Sequence, residues 1–291
     1  MTLPTVTSVM LPDWQRLTLP GIHSFLIPDW QCLTLPTVIV IIKNMRVEPF
    51  TVGDFVHVFN QGNRKMPIFR DVNDKWRFLK ILRFLNDQYI PSHPFAEIKK
   101  QSMFDVNKVD KLNPLAGRSF DWPKHWPAHK PLVKILSYKE KENHFHLLLK
   151  EIIKGGISKF MKRLGDAYTK FFNIKYEEVG KVFRGSYRGR TPKEDIKNLH
   201  YLDAYIQVFN SFEEYPGGIE RASKEFDKAF EFALNDPFCS LGEAFGKRSF
   251  DIIDRDILAE AFPNLEIYKE FVKDALLVRN IREILGRLTI D

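Results

Sequence analysis

The sequence predicts an α+β fold in which an antiparallel sheet packs against helices. Short segments that alternate apolar and polar residues, as strands do, are interleaved with longer segments whose apolar residues recur at every third or fourth position, as in helices. Along the chain the order is strand, helix, strand, strand, helix, strand and helix. This order is typical of the split βαβ, ferredoxin-like sandwich, which carries its helices on one face of the sheet.

The first strand and helix are predicted early in the globular part of the chain. Residues 55–60 alternate and run into a glycine, which predicts a strand and a turn. Residues 72–85 have helical spacing, with Asp71 or Asn73 as the N-cap. Residues 89–131 contain six prolines, which indicates an insertion or a long loop.

The other elements follow without long gaps. Residues 132–138 and 144–152 are predicted as two strands, and residues 157–172 as a helix after a pair of glycines. Residues 182–190 are predicted as the fourth strand. The next helix begins near residue 193 and continues through Phe209. The remainder, residues 216–291, is predicted as a wholly helical carboxy-terminal extension.

The first forty residues repeat with a period of 16. The repeated unit includes Thr2-Leu3-Pro4, Thr18-Leu19-Pro20 and Thr34-Leu35-Pro36. So short and proline-rich a unit does not build a solenoid. We interpret residues 1–44 as translated repetitive DNA upstream of a start at Met45, either non-native or disordered. The alternative is a strand-forming extension or a partner-binding arm. The main folded domain would then span residues 45–215.

Composition narrows the class of partner. The formal net charge of +7 and the isoelectric point near 9.2 favour a polyanion. Two cysteines are too few for a disulfide framework or a structural zinc site and fit a reducing cytoplasm. Since no run of about 18 apolar residues exists, we expect no membrane span.

The segment His144-Phe145-His146 opens a run of aliphatic residues. In a strand both imidazoles point to the same face, close enough to share one divalent metal ion. The alternative is a half-exposed polar face without a metal.

The segment 154–190 is strongly basic, with ten Lys or Arg residues against three acidic ones, and aromatic and glycine residues between them. Cations neutralise phosphates and aromatic rings stack on bases, so the segment predicts nucleic-acid binding. The alternative is a solvated basic face. The predicted DNA-binding residues are Lys159, Lys162, Arg163, Lys170, Lys181, Arg184, Tyr187, Arg188 and Arg190.

Two tyrosines lie on the helix after the fourth predicted strand. Tyr205 falls at the edge of the apolar stripe, where its hydroxyl could enter a neighbouring cleft, and Tyr201 falls nearer to solvent. The alternative for Tyr205 is an amphipathic residue at the boundary of the core.

An ordered series of blocks resembles one known family. The blocks are residues 55–62 (FVHVFNQG), 142–149 (ENHFHLLL), 155–161 (GGISKFM), 168–173 (YTKFFN), 180–185 (GKVFRG) and 205–210 (YIQVFN). They resemble the REP-associated tyrosine transposases, which are one-tyrosine HUH single-strand DNA transposases. The resemblance covers roughly residues 45–260.

The resemblance implies a function on a bacterial mobile or domesticated element in the cytoplasm, near the nucleoid. Single-stranded or hairpin DNA at repeat sequences would be cleaved and rejoined without a nucleotide cofactor, by a monomer or a homodimer. His144 and His146 match the HUH pair and would hold Mg²⁺ or Mn²⁺. Tyr205 matches the nucleophile, which would form a 5′-phosphotyrosine. Tyr187 and Tyr201 are the reserve candidates for this role.

The chain departs from the family pattern at two places. Relatives often carry a Gln or Asn metal ligand four residues after the tyrosine, but Phe209 stands there and Asn210 comes one residue later. Either the helix ends or bulges so that Asn210 becomes the ligand, or Gln207 or water takes its place. In addition, the charged residues 139–142 precede the histidines, where relatives usually carry apolar residues and proline.

These departures favour a rival function, a catalytically inactive DNA-binding protein on the same fold. A second rival is an RNA-binding ferredoxin-like domain, in which the histidines would be incidental.

Overall fold

The computed structural model describes residues 32–35, 38–41, 50–95, 120–192 and 196–277. The chain divides into two compact units, Met1–Pro49 and Phe50–Asp291. In the first unit, strands β1 (Cys32–Leu35) and β2 (Val38–Ile41) pair antiparallel. Both strands lie within the repetitive region. The origin of residues 1–44 stays a prediction.

The second unit is built on a four-stranded antiparallel sheet. Its strands are β3 (Phe55–Gln61), β4 (Val133–Lys141), β5 (His144–Glu151) and β6 (Arg188–Arg190). They lie side by side in the order β4-β5-β3-β6, and every neighbouring pair is antiparallel. The predicted α+β class with an antiparallel sheet is confirmed.

Two of these strands differ in extent from the prediction. Strand β4 continues through Lys141 because its charged end pairs with the start of β5. Strand β6 is much shorter than the predicted 182–190, and Phe183 adds only an isolated bridge to Gly62. The intervening segment contains Gly185 and Ser186, which are poor strand formers, so it follows the edge of β3 as a loop.

One face of the sheet is covered by helices α1 (Val72–Leu85) and α2 (Gly156–Tyr176). The N-cap of α1 is Asp71, whose carboxylate accepts hydrogen bonds from the backbone N–H groups of Asn73 and Asp74. The buried carboxylate of Glu151 accepts from the N–H groups of Gly155 and Ile157 and so ties the start of α2 to the end of β5.

The other face is also covered by helices, so the prediction of helices on one face is wrong. Here lie α3 (Ile196–Ala204), a π-helical segment (Tyr205–Phe209), α4 (Asn210–Glu214) and the helices that follow. Leu147 and Leu149 point to the α1–α2 side, and Leu148 between them points to this one. A sheet that is apolar on both faces must be covered on both.

The carboxy-terminal part belongs to the same compact unit as the sheet. Its helices are α5 (Gly218–Lys224), α6 (Phe226–Asn235), α7 (Leu241–Ala244), α8 (Ile257–Ala261) and α9 (Leu265–Leu277). Residues 245–256 form no helix, so the extension is not wholly helical as predicted, and residues 278–291 lie outside the described part.

The predicted loop, residues 89–131, is described only in part. Residues 89–93 and 120–131 contain neither strand nor helix, and residues 96–119 lie outside the described part. In the part of the chain that the structure describes, every helix is too short or too polar to cross a bilayer.

Candidate active site

Histidines from two neighbouring strands meet on the face of the sheet that α3 and the π-helical segment cover. Phe59 of β3 stands opposite His146 of β5 in the strand register. Because side chains alternate, His57, Phe59, His144 and His146 all project from this face. His57 and His146 are fully buried, whereas His144, at the start of β5, is partly exposed.

Hydrogen bonds orient both imidazoles of the predicted metal pair. His144 Nδ1 lies 2.6 Å from Asn143 Oδ1. A carbonyl oxygen only accepts, so His144 donates from Nδ1 and keeps a lone pair on Nε2. His146 Nδ1 lies 2.9 Å from His57 Nε2, and His146 Nε2 is buried without a hydrogen-bond partner.

The surroundings favour neutral imidazoles. Burial, together with the positive charge of Lys141, lowers the pKa of His144 to about 4. Burial, together with the neighbouring histidines and lysines, also places the pKa of His146 well below its ordinary value. Neutral imidazole is the form that coordinates a metal ion, so both side chains are in the state that binding requires.

Tyr205 lies directly against these histidines. Its ring centroid is 5.6 Å from that of His146 and 6.4 Å from that of His57, with the rings edge to face. The side chain is 5 % exposed. The structure therefore brings together His144, His146 and Tyr205, which the sequence predicted from separate segments.

The helix bulges at Tyr205, which was one of the alternatives left open by the sequence. The backbone N–H of Asn210 donates to the carbonyl oxygen of Tyr205, five residues earlier. Asn210 Nδ2 donates to the same oxygen at 2.8 Å. Because a π turn takes one residue more than an α turn, Asn210 falls where the fourth residue after Tyr205 would fall in an α-helix.

The side chain of Gln207 is held by hydrogen bonds to neighbouring side chains. Its Nε2 donates to both carboxylate oxygens of Asp203 at 2.8 Å, and its Oε1 accepts from Ser240 Oγ at 2.9 Å. The side chain is buried. Both ends of this amide are thus engaged by neighbouring side chains, and the arrangement does not bring Gln207 into the histidine cluster.

The tyrosine-bearing helix is held by the last described helix of the same chain. Tyr268 Oη donates to Asp203 at 2.8 Å, and the ring of Tyr201 packs on Phe271 at 5.4 Å. Tyr187, the other reserve candidate, lies within hydrogen-bond distance of Ser158 on α2. Of the three candidate nucleophiles, Tyr205 is the one that the structure shows in contact with the histidines.

Most of the predicted DNA-binding cations are at the surface. The exposed ones are Lys159, Lys162, Lys170, Lys181, Arg184 and Arg188. Arg163 differs from these exposed cations because it is partly buried, and its assignment to DNA binding stays a prediction. Its guanidinium donates to the carbonyl oxygens of Leu85 and Asp87, where α1 ends. Burial lowers its pKa, because the side chain packs against the protein.

Two grooves run beside the loop before β6. The larger, about 680 Å³, has an apolar floor that includes Phe145 and Phe183 and is lined by Lys162, Lys170 and Lys181. The smaller, about 190 Å³, is lined by Phe59, Asn60, Gln61, Arg184, Gly185, Ser186 and Arg188. Its wall thus includes Phe59, directly opposite His146 in the register, with the Arg190 guanidinium 5.2 Å from the Phe59 ring. The basic surface therefore reaches the edge of the histidine site.

The unusual charged run before the histidines is neutralised within the fold. Lys139, opposite His146, is fully buried and pairs with Asp236 at 2.5 Å and Glu214 at 2.6 Å. Lys141, opposite His144, pairs with Glu213 at 2.5 Å. Acidic residues of the later helices therefore compensate the lysines beside the site.

His57 lies in the cluster, although its sequence context predicted no role for it. Its position in the alternating strand 55–60 was the available signal, but the pairing of β3 with β5 could not be deduced from that strand alone.

In the described residues no group of three or more His, Cys, Asp or Glu side chains is arranged to hold a metal ion.

No protein-family model and no curated protein matches the sequence. Among solved structures, the chain is similar to a REP-associated tyrosine transposase bound to a REP hairpin. The match has 10 % identity and a TM-score of 0.33, and it covers 72 % of this chain and 90 % of that one. At this TM-score the likeness is weak.

Proposed function

We propose that this protein is a metal-dependent single-stranded DNA endonuclease and strand transferase that acts at structured repeat DNA through a 5′-phosphotyrosine. The observation that carries the proposal is the contact of Tyr205 with His146 on the face that also holds His144. A phenol beside a pair of neutral imidazoles is the arrangement that such chemistry requires.

The residues fit a divalent ion held by two imidazoles, and Asn210, which follows the π turn, stays the proposed third protein ligand. His144 and His146 each offer Nε2, and the buried Nε2 of His146 has no other partner. Water and phosphate oxygens would complete the coordination. Imidazole suits transition-metal ions better than Mg²⁺, so Mn²⁺ is the expected ion. When bound, the metal would supply Lewis-acid polarisation of the scissile phosphate.

The chain's own residues supply the nucleophile. Tyr205 loses its phenolic proton and its oxygen forms a bond to phosphorus, while the bond from phosphorus to the 3′ oxygen breaks. The departing 3′ oxygen takes up a proton and becomes a free hydroxyl. Attack by the 3′-hydroxyl of another strand reverses these steps, so joining needs no nucleotide. Tyr205 and the histidines come from one chain, so a monomer contains all three.

The basic grooves support a DNA partner. Arg184 and Arg188 line the groove that reaches Phe59, which supports the proposal because cations there can neutralise the phosphates of a bound strand. The fold supports the proposal as well: the antiparallel order β4-β5-β3-β6, with crossover helices after β3 and β5, is the connectivity of a ferredoxin-like split βαβ sheet.

The direct test is a search for the covalent intermediate. Labelled single-stranded hairpins from the genomic flanks of the coding sequence are incubated with the protein and Mn²⁺ and separated on a denaturing gel. We expect an adduct that requires the metal and disappears in Tyr205→Phe, while Tyr201→Phe, a matched control on the same helix, retains it. Absence of any adduct with every divalent ion, despite tight binding, would refute the nuclease.

That negative outcome would support the second candidate, a catalytically inactive hairpin-binding protein. The observations that favour it are the burial of Tyr205 and the engagement of the Gln207 amide by Asp203 and Ser240. Competition between DNA hairpins and RNA of the same sequence would identify an RNA-binding domain, which would prefer the RNA.

A further inference from the structure

His57 reaches the histidine pair from a different strand. It stands two residues before Phe59, the register partner of His146, and so projects from the same face of the sheet. Its ring plane is within 13° of that of His146, and the centroids are 5.2 Å apart. His57 Nε2 and His146 Nδ1 are 2.9 Å apart, and both side chains are fully buried. The two imidazoles therefore share one hydrogen bond in the protein interior.

The direction of this hydrogen bond decides what His146 can do. If His57 donates, neutral His146 carries its own proton on Nε2, where the structure has no acceptor for it. If His146 donates from Nδ1, its Nε2 keeps a lone pair. The first arrangement leaves a buried N–H group without a partner, which costs free energy. The second arrangement leaves a lone pair on His146 Nε2, which is the group that a metal-binding imidazole must present.

We propose that His57 is a positioning residue that accepts the hydrogen bond from His146 Nδ1 and so fixes the His146 tautomer with a bare Nε2. The proposal rests on the proposed function, in which His146 is a metal ligand, and extends it to a residue of β3. His57 takes the place of the carboxylate or carbonyl group that usually accepts the second N–H of a metal-binding histidine.

The neighbouring histidine has the same kind of support. Asn143 Oδ1 accepts from His144 Nδ1 at 2.6 Å, which leaves His144 Nε2 bare. Each member of the pair thus has its own partner at Nδ1, one from the hairpin turn between β4 and β5 and one from β3. Two independent acceptors that produce the same tautomer are what a two-imidazole site needs.

The test uses the full chain without DNA. His57→Leu removes the acceptor, His57→Gln supplies an amide oxygen that can accept, and His129→Leu removes a partly buried histidine that contacts Asn86 instead. Mn²⁺ affinity is measured by titration calorimetry. We expect His57→Leu to weaken binding by roughly 10- to 100-fold and His57→Gln by about threefold or less, with no change in His129→Leu.

Nitrogen-15 NMR of histidine-labelled, metal-free protein reads the tautomer directly. We expect the Nδ1–H tautomer of His146 in the wild type and in His57→Gln, and a mixture in His57→Leu. If His57→Leu does not fold, the wild type and His57→Gln still decide the question. The Nε2–H tautomer of His146 in the wild type would overturn the proposal, as would unchanged Mn²⁺ affinity in folded His57→Leu.

Two other results separate this inference from the proposed function. Three imidazole nitrogens coordinated to Mn²⁺ in electron spin-echo spectra, with His57→Gln as weak as His57→Leu, would make His57 a ligand and overturn its positioning role. A wild type that binds no Mn²⁺ would defeat the proposed function, while the NMR result would still support or overturn the tautomer assignment.

Discussion

Removing the acidic partners of Lys139 should destabilise the protein far more than removing Lys139 itself. Its ammonium group is fully buried and contacts Asp236 and Glu214. Burial disfavours the charge, but the two carboxylates outweigh it and raise the pKa of Lys139 above its ordinary value. A lysine whose pKa is raised on folding stabilises fully below its ordinary pKa and loses that contribution only as pH rises through the higher value, so the effect is complete at pH 7.

The structure gives the expected magnitudes. In Asp236→Asn/Glu214→Gln the buried ammonium loses both counter-charges, which costs about 3–5 kcal/mol. In Lys139→Met the volume is kept and the charge is removed. The carboxylates that remain are 17 % and 32 % exposed, so water can solvate them. Replacement of a buried ion pair by an apolar side chain is often close to neutral, so we expect a cost of about 0–2 kcal/mol.

Urea unfolding at pH 7 checks this order of stabilities. The variants are compared by their urea midpoints, provided that the m-value, the slope of the unfolding free energy against urea concentration, stays constant. The triple variant, which combines Lys139→Met with the two neutral acids, should recover most of the stability lost in the double variant. Two results would refute the reasoning. One is a loss of stability in Lys139→Met as large as that in the double variant; the other is a loss in the triple variant equal to the sum of the losses in Lys139→Met and the double variant.

Three further predictions concern other parts of the fold. Burial raises the pKa of Asp203 from 3.8 to about 6. An acid whose pKa is raised on folding loses stability as pH rises through that range, so the wild type should lose about 2 kcal/mol relative to Asp203→Asn as pH rises from 4 to 6, measured by urea unfolding. A Cβ at Gly156 would lie 2.3 Å from a backbone oxygen, whereas one at Gly165 would meet nothing within 4 Å. Gly156→Ala should therefore lower the free energy of unfolding by about 1–3 kcal/mol, seen as a lower urea midpoint. Gly165→Ala should raise that midpoint slightly. Arg163→Met should reduce stability and leave the salt dependence of DNA binding unchanged. Arg188→Met should leave stability unchanged. It should lower the slope of log binding constant against log salt concentration by about 0.7.

Local patterns in the sequence predicted the elements that depend on local chemistry. The alternation in residues 55–60, the helix start after a cap at Asp71 or Asn73, and the spacing in residues 157–172 need no distant partner. The structure confirms all three and shows Asp71 as the cap. The shared face of His144 and His146 followed from the same alternation. The side of the sheet that each helix covers did not, because the run from Leu147 to Leu149 indicates two buried faces without naming what covers them.

The remaining differences arise from contacts between distant residues. Lys139 and Asp236 are 97 positions apart, so the charged strand could not be recognised as compensated from its own sequence. Arg163 has the same charge as its exposed neighbours, and only the fold shows that it serves the end of α1. The tautomer of His146 depends on His57, 89 positions away.

The π turn at Tyr205 shows how a helix can accommodate one extra residue. A helix with one added residue can keep its apolar contacts by absorbing the insertion as a single π turn, so a five-residue spacing can replace a four-residue one. Deletion of Val208 would then shorten the interval between Tyr205 and the asparagine at 210 and convert the segment to a regular α-helix. An alignment with proteins of four-residue spacing therefore requires a gap inside this helix, where insertions are least expected.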